Sequence, residues 1–135
     1  MPATATKYTE GLGRRKTASA RVRLTPAKET TIVVNDKDIK EYFRNAAAQK
    51  AVLSVLDTPE AGIENYTITV KVFGSGISAQ AEAIRLGIAR ALVKEKADRR
   101  TTLKKAGYLK RDPRSVERKK FGLRKARKRP AWSKR

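Results

Sequence analysis

Hydrophobic and polar residues alternate most regularly between positions 66 and 73. Tyr66, Ile68, Val70 and Val72 fall on one face of this stretch, and Thr67, Thr69, Lys71 and Phe73 fall on the other. A period of two predicts a β-strand with one buried face. The same period recurs at positions 18–24, where alanine, valine and leucine alternate with Ser19, Arg21 and Arg23. This second strand has one apolar and one basic face, and its pattern alone is equally compatible with a solvated edge strand.

A third strand is predicted at positions 30–34, and the turn-forming residues at 25–29 predict a hairpin between it and the preceding strand. Propensity and spacing predict helices over residues 38–43, 46–56, 77–96 and 98–106. The longest helix repeats apolar residues at intervals of three and four, which gives one core-facing stripe. The residues of that stripe are Ile77, Ala81, Ile84, Ile88 and Ala91 or Leu92. Asp38 and Asp98 are predicted N-caps, and Gly107 ends the last helix.

Charge is distributed unevenly along the chain. Its 135 residues carry a formal charge of +20, from 33 Lys and Arg against 13 Asp and Glu. Positions 99–135 hold 17 of these basic residues and two of the acidic ones, so they carry +15, and residues 1–98 carry +5. The larger apolar residues after position 112 share no single stripe, so this segment cannot offset its ordering entropy by burying them. We therefore expect a globular domain at 1–111 and a basic tail at 112–135 that a polyanion, RNA or DNA, orders.

Several function classes are excluded by composition. The chain has no cysteine and no histidine, which removes zinc fingers, Cys-His dyads and Ser-His-Asp triads. Its carboxylates are scattered singly, so no metal, cofactor or acid–base site is expected. No apolar run approaches the roughly 20 residues that span a bilayer, and the basic tail has no apolar face beside it to bind a membrane surface. The first ten residues lack the hydrophobic region of a signal peptide, so we expect a cytoplasmic location.

Two glycine-containing stretches allow more than one interpretation. Residues 74–79 (GSGISA) fit the dinucleotide-binding pattern G-x-G-x-x-A between a strand and a helix. Glu95, the acid at about the right distance, lies near the end of that helix, and no second β-α-β unit follows, so a nucleotide site is disfavoured. The turn then serves either close packing or contact with an RNA phosphate. Gly11 and Gly13, just before the basic cluster at 14–16, equally allow approach to another backbone or to phosphate.

Three separated stretches resemble one protein family. GLGRRKTASARV at 11–22 is similar to the N-terminal signature of the small-subunit ribosomal protein S-nine family, the universal uS-nine family in its bacterial form. GSGISAQAEAIRLGIARAL at 74–92 is similar to its central signature, and ERKKFGLRKARKRPAWSKR at 117–135 is similar to its C-terminal tail. Two residues depart from the family pattern, namely Phe73 and Ser75, the latter where the family commonly has a third glycine. Together the three stretches make the resemblance specific across nearly the whole chain.

The resemblance implies an α+β fold, a two-layer sandwich with helices packed on a mostly antiparallel four-stranded sheet, followed by a long extended basic tail. It implies no enzymatic activity, no cofactor and no small-molecule substrate. It places the protein in the head of the small ribosomal subunit, bound to the 16S-type rRNA there and beside neighbouring head proteins. The family's tail threads between rRNA helices toward the peptidyl-site tRNA, and its last residues approach phosphates of the anticodon stem-loop.

These implications assign expected roles to individual residues. The body is expected to bind rRNA through Arg14, Arg15, Lys16, Arg21, Arg23, Arg99, Arg100, Lys104 and Lys105. The tail is expected to bind rRNA through Arg114, Arg118, Lys119, Lys120, Arg124, Lys125, Arg127, Lys128 and Arg129, and tRNA through Ser133, Lys134 and Arg135. Phe121 and Trp132 either meet RNA bases or contact the protein's own body or a neighbouring protein. Two competing functions are a free nucleic-acid chaperone or DNA-compacting protein, which the charge equally suits, and a nucleotide-using enzyme.

Overall fold

The computed structural model of the chain describes residues 7–58 and 63–134. Within these ranges the last helix ends at residue 105. The strands are β1 (Thr9–Arg15), β2 (Ala18–Pro26), β3 (Thr31–Val34), β4 (Lys37–Asp38) and β5 (Tyr66–Phe73). The helices are α1 (Ile39–Tyr42), α2 (Ala46–Leu53), α3 (Ile77–Glu95) and α4 (Arg99–Lys105). The mixed α+β class and the four predicted helices are confirmed. No helix in the described ranges is long and apolar enough to cross a membrane.

The described strands form one mixed sheet in the order β1-β2-β5-β3-β4. β2 pairs antiparallel with both β1 and β5, whereas β3 runs parallel to β5. The expected four-stranded, mostly antiparallel sheet is therefore wrong, because the sheet has five strands and mixes the two directions. The hairpin predicted between positions 18–24 and 30–34 is also wrong, because β5 lies between those strands. Parallel strands need a crossover connection, and α1 and α2 provide it between β3 and β5.

β1 is a strand that the alternation of apolar and polar residues did not reveal. It joins β2 through a two-residue turn, since Arg15 pairs with Ala18, and Lys16 in that turn has a left-handed backbone (φ 50°). Two of its inward positions are glycines, and a Cβ at Gly13 would overlap the backbone carbonyl of Ala83 in α3. Gly11 and Gly13 therefore allow the backbones of β1 and α3 to lie close together, which is the first of their two interpretations. Because β1 pairs with β2 on one side and β5 pairs with it on the other, β2 is an interior strand, which excludes the edge-strand alternative.

The core lies between the sheet and the helices, chiefly α3. The inward residues of the two central strands are buried as predicted: Ala18, Ala20, Val22 and Leu24 in β2, and Tyr66, Ile68, Val70 and Val72 in β5. The buried side of α3 is wider than the predicted stripe, and it also takes in Ala79, Ala83, Leu86 and Ala89. Ile77 was predicted in the stripe but is 52% exposed, because it is the first residue of α3 and precedes the buried segment that starts at Ala79.

The helices begin where the sequence predicts, but the predicted N-cap side chains do not make capping hydrogen bonds. Asp38 and Asp98 occupy the N-cap positions of α1 and α4, as predicted, yet neither side chain accepts a capping hydrogen bond. Asn45, which was not singled out, caps α2 by accepting a hydrogen bond from the amide of Ala47 at 2.9 Å. Gly107 follows α4 with a φ of 83°, a left-handed conformation that favours glycine and ends a helix.

Residues 106–134 contain neither helix nor strand. A local loop closes within them, because the Glu117 carboxylate pairs with Lys120 and, at 3.0 Å, with Nε of Arg127. The amide of Arg124 also donates to the carbonyl of Lys128 at 2.8 Å. The extended form of the tail and its boundary at residue 112 stay predictions.

Candidate nucleic-acid interface

One face of the sheet is covered by no helix of the described residues, and we call its central part the open face. This part consists of Leu12 and Arg14 from β1, Ser19, Arg21 and Arg23 from β2, and Thr69, Lys71 and Phe73 from β5. These residues alternate with the buried residues of the same strands, so the periodicity that builds the core also gathers them on one surface. Four of the eight are cations, and Glu10, which lies on the same face of β1 opposite Arg23, pairs with Arg21 at 3.0 Å, so the net formal charge here is 4 − 1 = +3. The open face is therefore strongly basic.

Strand pairing orders the open face into rows. Two adjacent rows are Leu12, Arg21 and Lys71, and then Arg14, Ser19 and Phe73. Directly opposed side chains in such rows have their Cβ atoms about 4.5–5.5 Å apart. The six residues line a shallow depression of about 410 Å³. Leu12 is 43% exposed and Phe73 is 69% exposed, so apolar surface lies beside the cations. Guanidinium and ammonium groups suit phosphate, and an exposed ring suits a base.

Arg15, one of the predicted rRNA contacts, joins three parts of the protein. Its Nε pairs with Glu82 of α3 at 2.5 Å, and its Nη1 lies 2.9 Å from both the Asp112 carboxylate and the carbonyl oxygen of Arg114. Asp112 also accepts hydrogen bonds from Arg114, and these, with weaker attraction from Arg15, hold the pKa of Asp112 well below its ordinary range. Because this pKa is lower in the folded than in the unfolded chain, the contribution of Asp112 is fully present at neutral pH and is lost progressively as the pH falls below the unfolded-state pKa of about 4.

We expect Arg15→Ala to lower the free energy of unfolding by about 1–2 kcal/mol, because Glu82 and Asp112 lose a charged hydrogen-bond partner in a partly exposed site. It should also speed proteolysis near residue 112. Urea unfolding and limited proteolysis mapped by mass spectrometry measure the two effects. Arg14→Ala is the matched control, because the exposed Arg14 side chain belongs to the open face and its loss should leave stability within about 0.5 kcal/mol. Equal unfolding curves for the two variants would show that Arg15 does not anchor the tail.

Arg99, another predicted rRNA contact, is only 3% exposed. Its Nη2 donates to the hydroxyl of Tyr66 at 3.0 Å, and its Nη1 pairs with Glu95 at 3.2 Å. Tyr66 donates to the same carboxylate at 2.5 Å, and burial followed by this hydrogen bond raises the pKa of Tyr66. The cluster ties α4 to β5 and α3, so its burial argues against direct RNA contact by Arg99.

The other predicted contact residues lie at the surface but do not form one cluster. In the body they are Lys16, Arg100, Lys104 and Lys105. In the tail the exposed ones are Arg114, Arg118, Lys119, Arg124, Lys125, Arg127, Lys128, Arg129, Ser133 and Lys134. Lys120 is partly buried beside Glu117, and Arg135 lies outside the described residues. Phe121 and Trp132 are among the most exposed large side chains. The structure thus brings together Arg14, Arg21 and Arg23 and leaves the tail cations dispersed.

Sequence reasoning assigned no binding role to five residues of the open face, namely Leu12, Ser19, Thr69, Lys71 and Phe73. The signal for three of them was present, because the alternation at 66–73 places Thr69, Lys71 and Phe73 opposite the apolar face. What the sequence did not reveal is that β5 lies next to β2, so that their polar faces become one surface.

The glycine turn after β5 provides a tight reversal between strand and helix rather than a dinucleotide site. Gly74 and Ser75 have φ values of 82° and 55°, which reverse the chain tightly into α3. A dinucleotide fold needs a parallel strand after this helix, and in residues 77–134 no strand follows. Across the described part of the chain, no group of three or more acidic, histidine or cysteine residues is placed to hold a metal ion.

A profile of the family described as ribosomal protein S9/S16 matches residues 13–135. The chain belongs to the ribosomal protein S9/S16 family. Two similar proteins bear the name small ribosomal subunit protein uS9, and both come from Synechococcus sp.. The one from strain JA-3-3Ab is 51% identical over 128 residues, covering 93% of this chain and 90% of its own. The one from strain JA-2-3B'a(2-13) is 52% identical over 128 residues, covering 93% of this chain and 91% of its own.

Membership of the ribosomal protein S9/S16 family confirms the resemblance drawn from the three signature stretches. The match takes in the open-face cations and the whole basic tail. The family consists of structural, non-enzymatic ribosomal proteins, so the chain is not an enzyme.

Proposed function

We propose that this protein is a structural, RNA-binding constituent of the small ribosomal subunit in the cytoplasm, bound to the 16S-type rRNA of the head and beside neighbouring head proteins. The observation that carries the proposal is the family match over residues 13–135, together with relatives named as small-subunit proteins over nine-tenths of their length. The basic open face and the cationic tail support it, because phosphate neutralisation dominates RNA affinity.

The body and the tail have different tasks in this proposal. The body presents Arg14, Arg21 and Arg23 on a rigid sheet, so it positions the protein on folded RNA. The tail adopts a long extended form between rRNA helices, and its cations neutralise crowded phosphates there. Fully extended, residues 113–135 reach at most roughly 75 Å. The charge density of the tail, the lack of helix and strand in 106–134, and the bends that Gly122 and Pro130 permit support this form.

Sedimentation tests the proposal directly. A tagged full-length chain expressed in its source cells should be recovered at one copy per small subunit after a sucrose gradient at high magnesium. A free nucleic-acid chaperone would stay near the top of the gradient and bind duplex DNA as tightly as rRNA. That outcome would replace the proposal with the chaperone function.

The tip of the tail, Ser133, Lys134 and Arg135, contacts phosphates of the peptidyl-site tRNA in this proposal. Deleting residues 133–135 should leave the protein in the subunit but weaken peptidyl-site tRNA binding by about 5- to 30-fold. Two charge-assisted phosphate contacts in a hydrated groove are worth about 1–2 kcal/mol together. Filter binding of tRNA to subunits reconstituted with each form measures the effect.

The matched control for the tip neutralises two exposed body lysines, Lys40 and Lys50, which lie on α1 and α2. This variant removes the same charge from the protein without touching the tail. Unchanged tRNA affinity in subunits with the shortened tail, or an equal loss in the lysine control, would count against the tip's role.

A further inference from the structure

Phe73 is the most exposed apolar residue of the open face. The residue is 69% exposed, and it ends the row that also holds Arg14 and Ser19, beside the row of Leu12, Arg21 and Lys71. Single exposed apolar side chains are common on proteins. This one differs because it borders a depression lined by three cations and by the half-exposed Leu12.

We propose that the open face binds an unpaired nucleotide of the rRNA, with its base stacked on the Phe73 ring and its flanking phosphates held by Arg14, Arg21 and Lys71. This inference rests on the proposed function, since it names what one surface of the body recognises in its RNA. Aromatic side chains on open sheets stack unpaired bases, and the bases of a duplex are not accessible for such stacking. The open face therefore selects a loop, bulge or single-stranded junction rather than a continuous helix.

The spacing of the cations fits a nucleotide backbone. Residues two apart on one strand are about 6.6 Å apart along it, so Ser19 and Arg21 set the distance between the two rows. Arg21 is the middle residue of its row, and Arg14 and Lys71 lie on the flanking strands. Phosphate oxygens can thus be bound on more than one side of a base that lies over Phe73. Arg provides a planar two-point contact with phosphate, whereas Lys provides a mobile point charge.

Charge favours RNA over a protein as the occupant. The open face has four cations, and the single acid on the same side of β1, Glu10, is paired with Arg21, which leaves a net formal charge of 4 − 1 = +3. A protein partner would need an acidic patch that also offers an apolar group to Phe73. An unpaired nucleotide combines a negative backbone with a flat apolar base in one ligand.

The test uses the full chain and a transcript of the head domain of small-subunit rRNA. Phe73→Ala and Phe73→Leu should each weaken binding by roughly 5- to 100-fold, the range of base–aromatic stacking, whereas Phe73→Trp should bind at least as tightly as the parent. Phe73→Leu is the informative control, because it keeps an apolar side chain and removes only the ring. Since Phe73 is exposed, the melting temperatures of these variants should match the parent within a few degrees.

Salt dependence separates stacking from charge. The slope of log affinity against log salt should stay unchanged in the Phe73 variants and should fall by about 0.7–0.9 in Lys71→Ala, which removes one phosphate contact. A second readout is tryptophan fluorescence in a protein that combines Phe73→Trp with Trp132→Phe, so that the indole at position 73 is its sole one. The transcript should quench this fluorescence. The control carries Ile77→Trp, at the half-exposed first position of α3, together with Trp132→Phe, and its fluorescence should not respond.

Two outcomes overturn the inference while leaving the proposed function intact. One is that Phe73→Leu binds the transcript as tightly as the parent, which would mean that the ring does not stack. The other is that the Phe73 variants bind RNA normally but lose a neighbouring protein from reconstituted subunits, which would make the open face a protein contact. If instead the parent chain binds the head-domain transcript no better than duplex DNA, the proposed function itself fails.

Discussion

Replacing the eight Lys and Arg residues between positions 118 and 129 with Gln is expected to reduce the slope of log affinity against log salt for rRNA by about 6–7 units. Each neutralised phosphate contributes about 0.7–0.9 to this slope. A protein with that many contacts loses roughly 10³–10⁵ in affinity between 50 and 200 mM salt, so the variant should bind far more weakly at low salt and respond much less to added salt. Binding to the head-domain transcript over a series of salt concentrations measures both quantities.

The control for this prediction neutralises exposed lysines outside the tail and the open face. These are Lys28, Lys37, Lys40 and Lys50. If neutralising these lysines changes the salt slope as much per charge as neutralising the tail residues does, the affinity for rRNA depends only on net charge and the tail is not an anchor. Both the tail variant and the control variant should keep the parent's melting temperature, because the residues substituted in each lie outside the buried core.

Local periodicity was sufficient to predict the central elements of the fold. The alternation at 66–73 and the three-and-four spacing at 77–96 each report which side of an element is apolar, and that side is the one buried in β5 and α3. This information is contained within a few neighbouring residues. The polar faces followed from the same patterns, which is why Arg21 and Arg23 were correctly expected at the surface.

Strand neighbours were not predictable in this way. The parallel pairing of β3 with β5 depends on where the α1–α2 crossover returns the chain, and no local pattern encodes this. β1 was missed because its inward positions include Gly11 and Gly13, which carry no side chain and so add no apolar signal. Here the smallest residues are buried because a helix backbone takes the space that side chains would fill.

The candidate site shows the same limit at the level of single residues. Arg14, Arg15 and Arg99 are chemically identical in the sequence, yet Arg14 is exposed, Arg15 holds the start of the tail and Arg99 is buried with Tyr66. The roles of Arg15 and Arg99 depend on their acidic partners. Glu82 and Asp112, the partners of Arg15, are distant in sequence, and Glu95, the partner of Arg99, lies one helical turn before it. The tail was easier to interpret, because its charge density predicts a polyanionic partner whatever its conformation.

Gly13→Ala is expected to cause the largest loss of stability of any single substitution proposed for this chain, about 3 kcal/mol or more. The added Cβ would lie 2.6 Å from the amide nitrogen of Gly87 and would overlap the carbonyl of Ala83, and both are backbone atoms of α3. Overpacking usually costs about 1–3 kcal/mol when side chains can move aside. A helix backbone cannot do so without shifting as a unit, and a domain of this size has only about 5–15 kcal/mol in total.

Urea unfolding followed by far-ultraviolet circular dichroism measures this loss, because Trp132 is exposed and would not report on the core by fluorescence. Gly76→Ala is the matched control: it makes the same substitution at a φ of −97°, where a Cβ would meet nothing within 4 Å. Its cost should stay below about 1 kcal/mol, from the weaker N-cap. Similar unfolding midpoints for the two variants would mean that β1 does not lie against α3. Leu12 and Arg14 would then lack the rigid strand that places them on the open face, and the anchoring of the tail through Arg15 would lose its basis.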